Sequence, residues 1–453
     1  MSLATDKQTL KDFSIFENKG KDSVYQLFNH TSTGKGAELL EQMFRQPLSD
    51  RQQINERIGI FKFFESEKAS FPFQGNLFEL VEAYLDNTDT RTLYSAQDNT
   101  IVRRLQDLLG GHDHAYRVLY GGVISFINIL QVLRDFIAGI SVAAAGSSYA
   151  RESKLIEELL AEADFQPFLM ERKKGRLSFL KVIAHDKKLR FLNRDKIRKL
   201  LHYIYKIDVY IAVAKAANEN HFNFPEALDK DSLTVKLKGF AHPLLSNAIP
   251  YDLEINPDSN IIFLTGANMA GKSTFMKALG ITMYLAHMGF PVSAASMQFS
   301  VMDGIYSTIN LPDNLSMGYS HFYAEVLRIK KMAHELSTGK NLFIIFDELF
   351  RGTNVKDAYE ATIALTEAFS EKRNCKFVIS THIVEAGEVL KERRENINFL
   401  FLPTKMEGSK PVYTYKLEPG ITEDRHGMLI INNEGILELL EKRENGILKH
   451  MES

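Results

Sequence analysis

The sequence has a single cysteine, Cys375, among 453 residues. An internal disulfide is therefore excluded, and a lone thiol suits a reducing, cytoplasmic compartment. Excess charge of either sign is also missing: 55 Lys and Arg stand against 57 Asp and Glu, a net charge of −2. Any affinity for nucleic acid must then come from a local basic face rather than from the chain as a whole. The opening residues MSLATDKQTLKDF lack the apolar run of a signal peptide. The longest apolar region, residues 118–145, is broken by Asn128, Gln131, Arg134 and Asp135. Such side chains are costly in hydrocarbon, so the expectation is helices buried in protein and no membrane anchor. Repeats and low-complexity tracts are absent too. The remainder has the composition of a globular protein, 45% hydrophobic and 25% charged, with length for about two to four domains.

Against that background one stretch stands out, residues 261–274, IIFLTGANMAGKST. Four apolar residues predict a short buried strand. They run into Gly266-x-x-x-x-Gly271-Lys272-Ser273 and then a helical pattern from Thr274. Glycines let successive N–H groups turn inward around a phosphate chain, and a helix N-terminus adds a favourable dipole. The predicted phosphate-binding set is Gly266, Asn268, Met269, Ala270, Gly271, Lys272, Ser273 and Thr274. In it Lys272 reaches the β- and γ-phosphates, and the Ser273 hydroxyl sits on Mg²⁺. The expected ligand is a nucleoside triphosphate.

Downstream, residues 342–348 read as an apolar strand ending in Asp347 and Glu348. Asp347 is expected to hold the Mg²⁺ shell, and Glu348 to orient and deprotonate the attacking water. A further apolar strand ends at Ser380-Thr381-His382, where His382 is positioned to donate to the γ-phosphate. Before a predicted helix, Ser316 and Gly318 are candidates to offer a hydroxyl and N–H groups to an anion, although an ordinary N-cap has the same appearance.

The first half has a different texture. Leu39, Leu40, Met43 and Phe44, then Ile54, Ile58, Ile60, Phe61 and Phe64, recur at helical spacing, with Pro47, Ser49 and Asp50 marking the break between two helices. Residues 172–199 hold twelve cations against only Asp186 and Asp195. That density favours a polyphosphate backbone, while a solvated helical face balanced by the acidic run at 152–164 fits equally well. From about residue 230, short apolar segments separated by Gly, Pro and Asp predict strands and turns, and after the phosphate-binding loop strands at 304–311, 342–346 and 376–380 alternate with helices, hence parallel pairing with right-handed crossovers. The tail after Gly435 is expected to form one or two short helices.

The motifs GANMAGKST, DNLSMGYSHF, FIIFDELFRGTN and STHI resemble the ATPase motifs of MutS-type mismatch-repair proteins, within the ABC-ATPase class. His242-Pro243, Tyr251-Asp252-Leu253 and YKLEPGITEDRHG (residues 415–427) resemble family segments flanking that core. TSTGKGAELLEQMFRQPLSDRQQINERI resembles the start of the family's helical core, or lever, domain, and residues 207–225 its return helix. The resemblance implies an all-helical lever domain over residues 1–230, with a reduced clamp, followed over 231–453 by an ABC-type P-loop α/β ATPase domain ending in a helical dimerisation segment. It implies a homodimer with composite sites, in which Ser316 and Gly318 of one subunit close over the nucleotide of the other and residues 351–354 lie at the junction. It further implies DNA as a partner.

The departures are as specific. The mismatch-reading domain with its Phe-x-Glu wedge and the connector domain have no counterpart in the 453 residues, and Phe64-Glu65 falls in a predicted lever helix. The segment between the lever arms is short for a full clamp, and no endonuclease-like extension follows. His321 stands where the family has Thr, and residues 290–294 depart from Tyr-Val-Pro-Ala. The expectation is an ATP-hydrolysing, DNA-engaging dimer that does not select mismatches by a base wedge. Two alternatives remain open: a DNA-structure binder using ATP only as a clamp ligand, and an ATP-switched assembly protein acting on other proteins.

Overall fold

The computed structural model describes residues 2–16, 22–95, 114–172, 176–267, 269–309, 321–350, 353–407, 410–422, 435–436 and 439–440. It divides into two units, one built from residues 1–27, 46–55 and 221–453, the other from residues 28–45 and 56–220. Residues 1–27 and 46–55, which sequence patterning assigns to the helical part, thus belong with the sheets.

The second unit is helical. Its helices include Gly34–Arg45, His114–Ala144, Ala150–Ala161 and Arg194–Asn220, together with Arg51–Ser66 from residue 56 onward. Leu40, Phe44, Ile58, Phe61 and Phe64 are buried as the spacing predicts, and Asp50 caps the Arg51–Ser66 helix by accepting from Gln53 N at 2.8 Å. Helix His114–Ala144 is, by length and composition, able to cross a membrane, but half of its most apolar stretch is buried within the protein. Its Gln131 is buried and donates to Glu171 O at 2.8 Å, as a polar group in a protein core must. A carboxylate ties two segments distant in sequence: Asp208 accepts from Ser32 N, Thr33 N and Thr33 Oγ1 at 2.9, 2.9 and 2.7 Å, ahead of helix Gly34–Arg45.

Among the described residues the first unit carries twelve strands: β1 (Glu226–Leu228), β2 (Val235–Phe240), β3 (Tyr251–Ile255), β4 (Ile261–Gly266), β5 (Ser296–Ser300), β6 (Gly304–Thr308), β7 (Leu342–Phe346), β8 (Lys376–Ser380), β9 (Ile397–Leu402), β10 (Thr404–Glu407), β11 (Lys410–Tyr413) and β12 (Glu418–Pro419). The principal sheet has the order β12-β9-β4-β8-β7-β6. Its β9-β4-β8-β7-β6 part is parallel throughout, and β12 is antiparallel to β9. A second sheet, β1-β5-β2-β3, combines one parallel and two antiparallel pairings. The strands after the phosphate-type loop that alternate with helices, β6, β7 and β8, pair in parallel as the alternation predicts, while the antiparallel pairings fall elsewhere, so the sheets are mixed and the class is helix and sheet together. Every residue of β4, β7 and β8 is buried, because helices such as Val355–Ser370 cover the sheet. Phe346, Phe369 and Phe377 stack there with centroids 5.5 and 4.8 Å apart.

At the other margin an amino-terminal arm finishes the sheet. The outward N–H groups of Ile305, Ser307 and Ile309 donate to Ala4 O, Thr9 Oγ1 and Asp12 Oδ2 at 2.9, 3.0 and 2.9 Å. Three donors two residues apart, which an edge strand would leave bare, are all satisfied. Asp6 pins the arm by pairing with Arg328 and Lys331 of helix His321–Ser337.

Candidate functional site

The carboxyl ends of the adjacent strands β4, β8 and β7 bring together most of the chemistry-bearing residues. β4 ends at Gly266, whose φ of 144° lies outside the range L side chains favour and where an added Cβ would sit 3.0 Å from Leu402 O. Met269 (φ 70°) and Gly271 (φ 106°) continue the turn, and helix Lys272–His287 begins immediately after. Ala270 is buried, Met269 and Ser273 are exposed, and Thr274 lies half-buried in the first helical turn. Tyr415 packs against the turn, its Cδ1 3.1 Å from the position of a Cβ on Gly271.

The Lys272 ammonium folds over the loop, donating to Gly266 O at 2.9 Å and Ala267 O at 3.3 Å. Desolvation draws its pKa below the ordinary lysine value, and the carboxylates of Glu348 and Asp347 oppose that shift. Ser273 Oγ donates to Asp347 Oδ2 at 2.6 Å. Asp347, at the end of β7, has its pKa raised by burial despite the hydroxyls of Ser273 and Ser380. Glu348 Oε1 is hydrogen-bonded to His382 Nε2. Lys272, Ser273, Asp347, Glu348 and His382 therefore form one constellation. Strain gathers there as well: Met269, Glu348 (φ 55°) and Phe350 (φ 63°) are non-glycine residues in the left-handed region.

The donor set suits a hard divalent cation. One hydroxyl and one carboxylate oxygen meet at 2.6 Å beside a phosphate-type loop, and oxygen donors in small number are what Mg²⁺ takes when phosphate and water complete its shell. Among the described residues no group of three or more His, Cys, Asp and Glu forms a self-sufficient metal cage.

Ser380 is the residue that motif reading passed over. It is buried at the end of β8, donates from Oγ to Asp347 Oδ1 at 2.5 Å, and accepts from Glu348 N at 3.1 Å. Only a hydroxyl at the end of a strand beside the acidic one hinted at it. Asn268, Ser316, Gly318, residues 351–352 and most of the tail after Gly435 lie outside the described residues.

The basic stretch of the second unit is neutralised in part, and its Lys173 and Lys174 lie outside the described residues. Arg190 is buried against Asp186 at 2.5 Å, Lys181 pairs with Glu171 at 3.0 Å, and Lys196 with Glu162 and Asp164 at 2.5 and 2.7 Å. Arg198 and Arg194 reach Asp86 at 3.4 and 4.0 Å. Arg176, Lys187 and Lys199 are exposed. Among the described residues five of these cations thus have acidic partners, and two of those acids, Glu162 and Asp164, lie in the 152–164 run.

Comparison with known proteins agrees with the motifs. The model described as MutS domain III matches residues 8–214, and that described as MutS domain V matches residues 262–452. A DNA mismatch repair protein MutS from Fusobacterium nucleatum is 31% identical over 265 residues, 57% of this chain and 29% of that protein. One from Parabacteroides distasonis is 31% identical over 262 residues, 55% of this chain and 29% of that protein. The match to the protein of that name from Petrotoga mobilis is 24% identical and takes in 96% of this chain and 64% of that protein. The chain thus spans less than two thirds of the length of each of these relatives. With domain matches over residues 8–214 and 262–452 together, this chain belongs to the MutS family.

Proposed function

We propose that the chain is a MutS-type ATPase: a dimer that binds ATP with Mg²⁺, hydrolyses it at composite sites, and thereby switches between DNA-engaged states. The observation that carries this is the convergence of Lys272, Ser273, Asp347, Glu348 and His382 at the ends of three neighbouring parallel strands. Domain V is the family's ATPase domain, which fits that convergence.

In this scheme the loop 266–271 and the N-terminus of helix Lys272–His287 bind the phosphates through backbone N–H groups. Lys272 adds the positive charge on the β- and γ-phosphates, and its lowered pKa reflects a desolvated position that an anion would stabilise. Ser273 and Asp347 would hold Mg²⁺, which when bound neutralises charge building on the phosphate oxygens. Glu348 orients the attacking water and accepts its proton as the water oxygen bonds to the γ-phosphorus and the bond to ADP breaks. His382, hydrogen-bonded to Glu348, donates to the γ-phosphate. Ser316 and Gly318 of the second subunit would complete each site, so that ATP favours the closed dimer through contacts absent from the open one.

The relatives are named for DNA mismatch repair, and DNA is accordingly the proposed partner, in a cytoplasmic setting. The pairing of Lys181, Arg190, Arg194, Arg198 and Lys196 with acids favours instead an assembly ATPase that grips a protein. The deciding experiment measures ATP hydrolysis with and without duplex, mismatched and branched DNA, at several salt concentrations. Stimulation that declines with salt supports the DNA-switching function. Hydrolysis indifferent to every DNA supports the protein-directed alternative, and absence of hydrolysis in dimer and monomer alike refutes the ATPase.

A further inference from the structure

We propose that Ser380 is the positioning residue for both carboxylates of the site, and that it sets how strongly nucleotide binding depends on Mg²⁺. The inference rests on the ATP and Mg²⁺ site proposed above. Asp347 is held between two hydroxyls from different elements: Ser273 Oγ on Oδ2 at 2.6 Å and Ser380 Oγ on Oδ1 at 2.5 Å. Ser273 is exposed at a helix N-terminus and is itself a proposed metal ligand, so it is unsuited to fix the carboxylate. Ser380 is fully buried at the end of an all-buried strand, with no freedom to follow a ligand.

The same oxygen serves the neighbouring residue. Glu348 N donates to Ser380 Oγ at 3.1 Å and to Ser380 O at 3.1 Å. Glu348 sits at φ 55°, a conformation that persists in a non-glycine residue only when its surroundings impose it. One hydroxyl thus spends its proton on Asp347 and a lone pair on Glu348 N–H. It locks the rotamer of the first acid and helps hold the backbone turn that aims the second at His382. Its removal leaves Asp347 Oδ1 without this donor and free to swing, while the loop and Lys272 are untouched. Partners of metal-bearing carboxylates typically govern metal affinity by about 10–100-fold.

The test is binding of fluorescent mant-ATP by the full chain, titrated with Mg²⁺ and repeated in EDTA. For Ser380→Ala, binding in EDTA should match wild type, which also reports an intact loop, while half-saturating Mg²⁺ rises at least about tenfold. Ser380→Thr, which keeps the hydroxyl, should stay within about twofold of wild type. The inference is overturned if Ser380→Ala keeps the wild-type Mg²⁺ dependence, or if Ser380→Thr is as impaired as Ser380→Ala. A wild-type chain that binds no mant-ATP refutes the proposed function itself, a result distinct from either.

Discussion

Lys376 opens β8 with its whole side chain buried and with Nζ lacking a hydrogen-bond partner among the described residues. Desolvation lowers its pKa from the ordinary 10.5 to about 8, opposed only weakly by Cys375. The sign follows from proton counting. Between pH 8 and 10.5 the unfolded chain holds a proton at this lysine that the folded chain has released, so stability rises with pH across that window. Below pH 8 the folded protein carries the buried charge at full cost. At about 1.4 kcal/mol per pH unit, the interval corresponds to about 3 kcal/mol. Lys376→Met keeps the length and apolar stem and removes the charge, so at pH 7 it should stabilise the chain by about that amount. Denaturant unfolding of both proteins at pH 7, 8.5 and 10.5 reads it directly, since lysines and tyrosines common to both cancel in the difference. The expected gap narrows toward zero by pH 10.5. A Met variant no more stable at pH 7, or a gap that ignores pH, refutes the reasoning. Lys376 lies at the amino end of β8, opposite Ser380, so nucleotide binding should be unchanged.

Other consequences are as direct. His287 is fully buried, donating from Nδ1 to Met283 O at 2.7 Å and accepting from Met302 N at Nε2 at 2.9 Å, an arrangement only the neutral ring satisfies. With its pKa lowered by burial to about 4, acid should remove about 3 kcal/mol of stability between pH 6.5 and 4; a His287→Gln variant whose acid limb matches wild type would contradict this. Glu348→Gln should bind ATP normally and lose about 10²–10⁴-fold in steady-state hydrolysis, and unchanged turnover would remove Glu348 from the base role. Asp208→Ala strips the acceptor from Ser32 and Thr33 and should cost about 2–4 kcal/mol in unfolding free energy. Gly36→Ala should destabilise the same corner, because a Cβ there overlaps Asp208 Oδ2; a neutral effect would show that the corner relaxes freely.

The parts legible in sequence are those with local causes. Continuous apolar runs at 342–346 and 377–379 give strands at those positions because both faces are covered, and the turn chemistry at 266–271 follows from where positive φ is needed. Pro47 and Asp50 mark a helix break for equally local reasons. The antiparallel pairings of the second sheet, the part Ser380 plays, and the acids that neutralise Lys181, Arg194 and Arg198 were not legible, because each depends on a partner brought close only by the fold. Twelve cations in one stretch look like a polyanion surface until Asp86 and Glu171 arrive from elsewhere. The same applies to residues 2–12, whose sequence resembles any short polar lead-in and whose acceptors match donors about three hundred positions away.

That separation has a consequence for synthesis. Thr9 and Ser307 are 298 residues apart, and a ribosome adding roughly 5–20 residues per second needs about 15–60 s to deliver the second after the first. For that interval the leading peptide can hold Pro47 O through Leu3 N, while the acceptors on Ala4, Thr9 and Asp12 wait for β6, so the margin of the sheet is sealed only late in translation. A nascent chain stalled between those two points carries the arm with its acceptors for β6 still unmatched. β7, β8 and β9 follow later still, so the sheet and its sealed margin can form only near the end of synthesis.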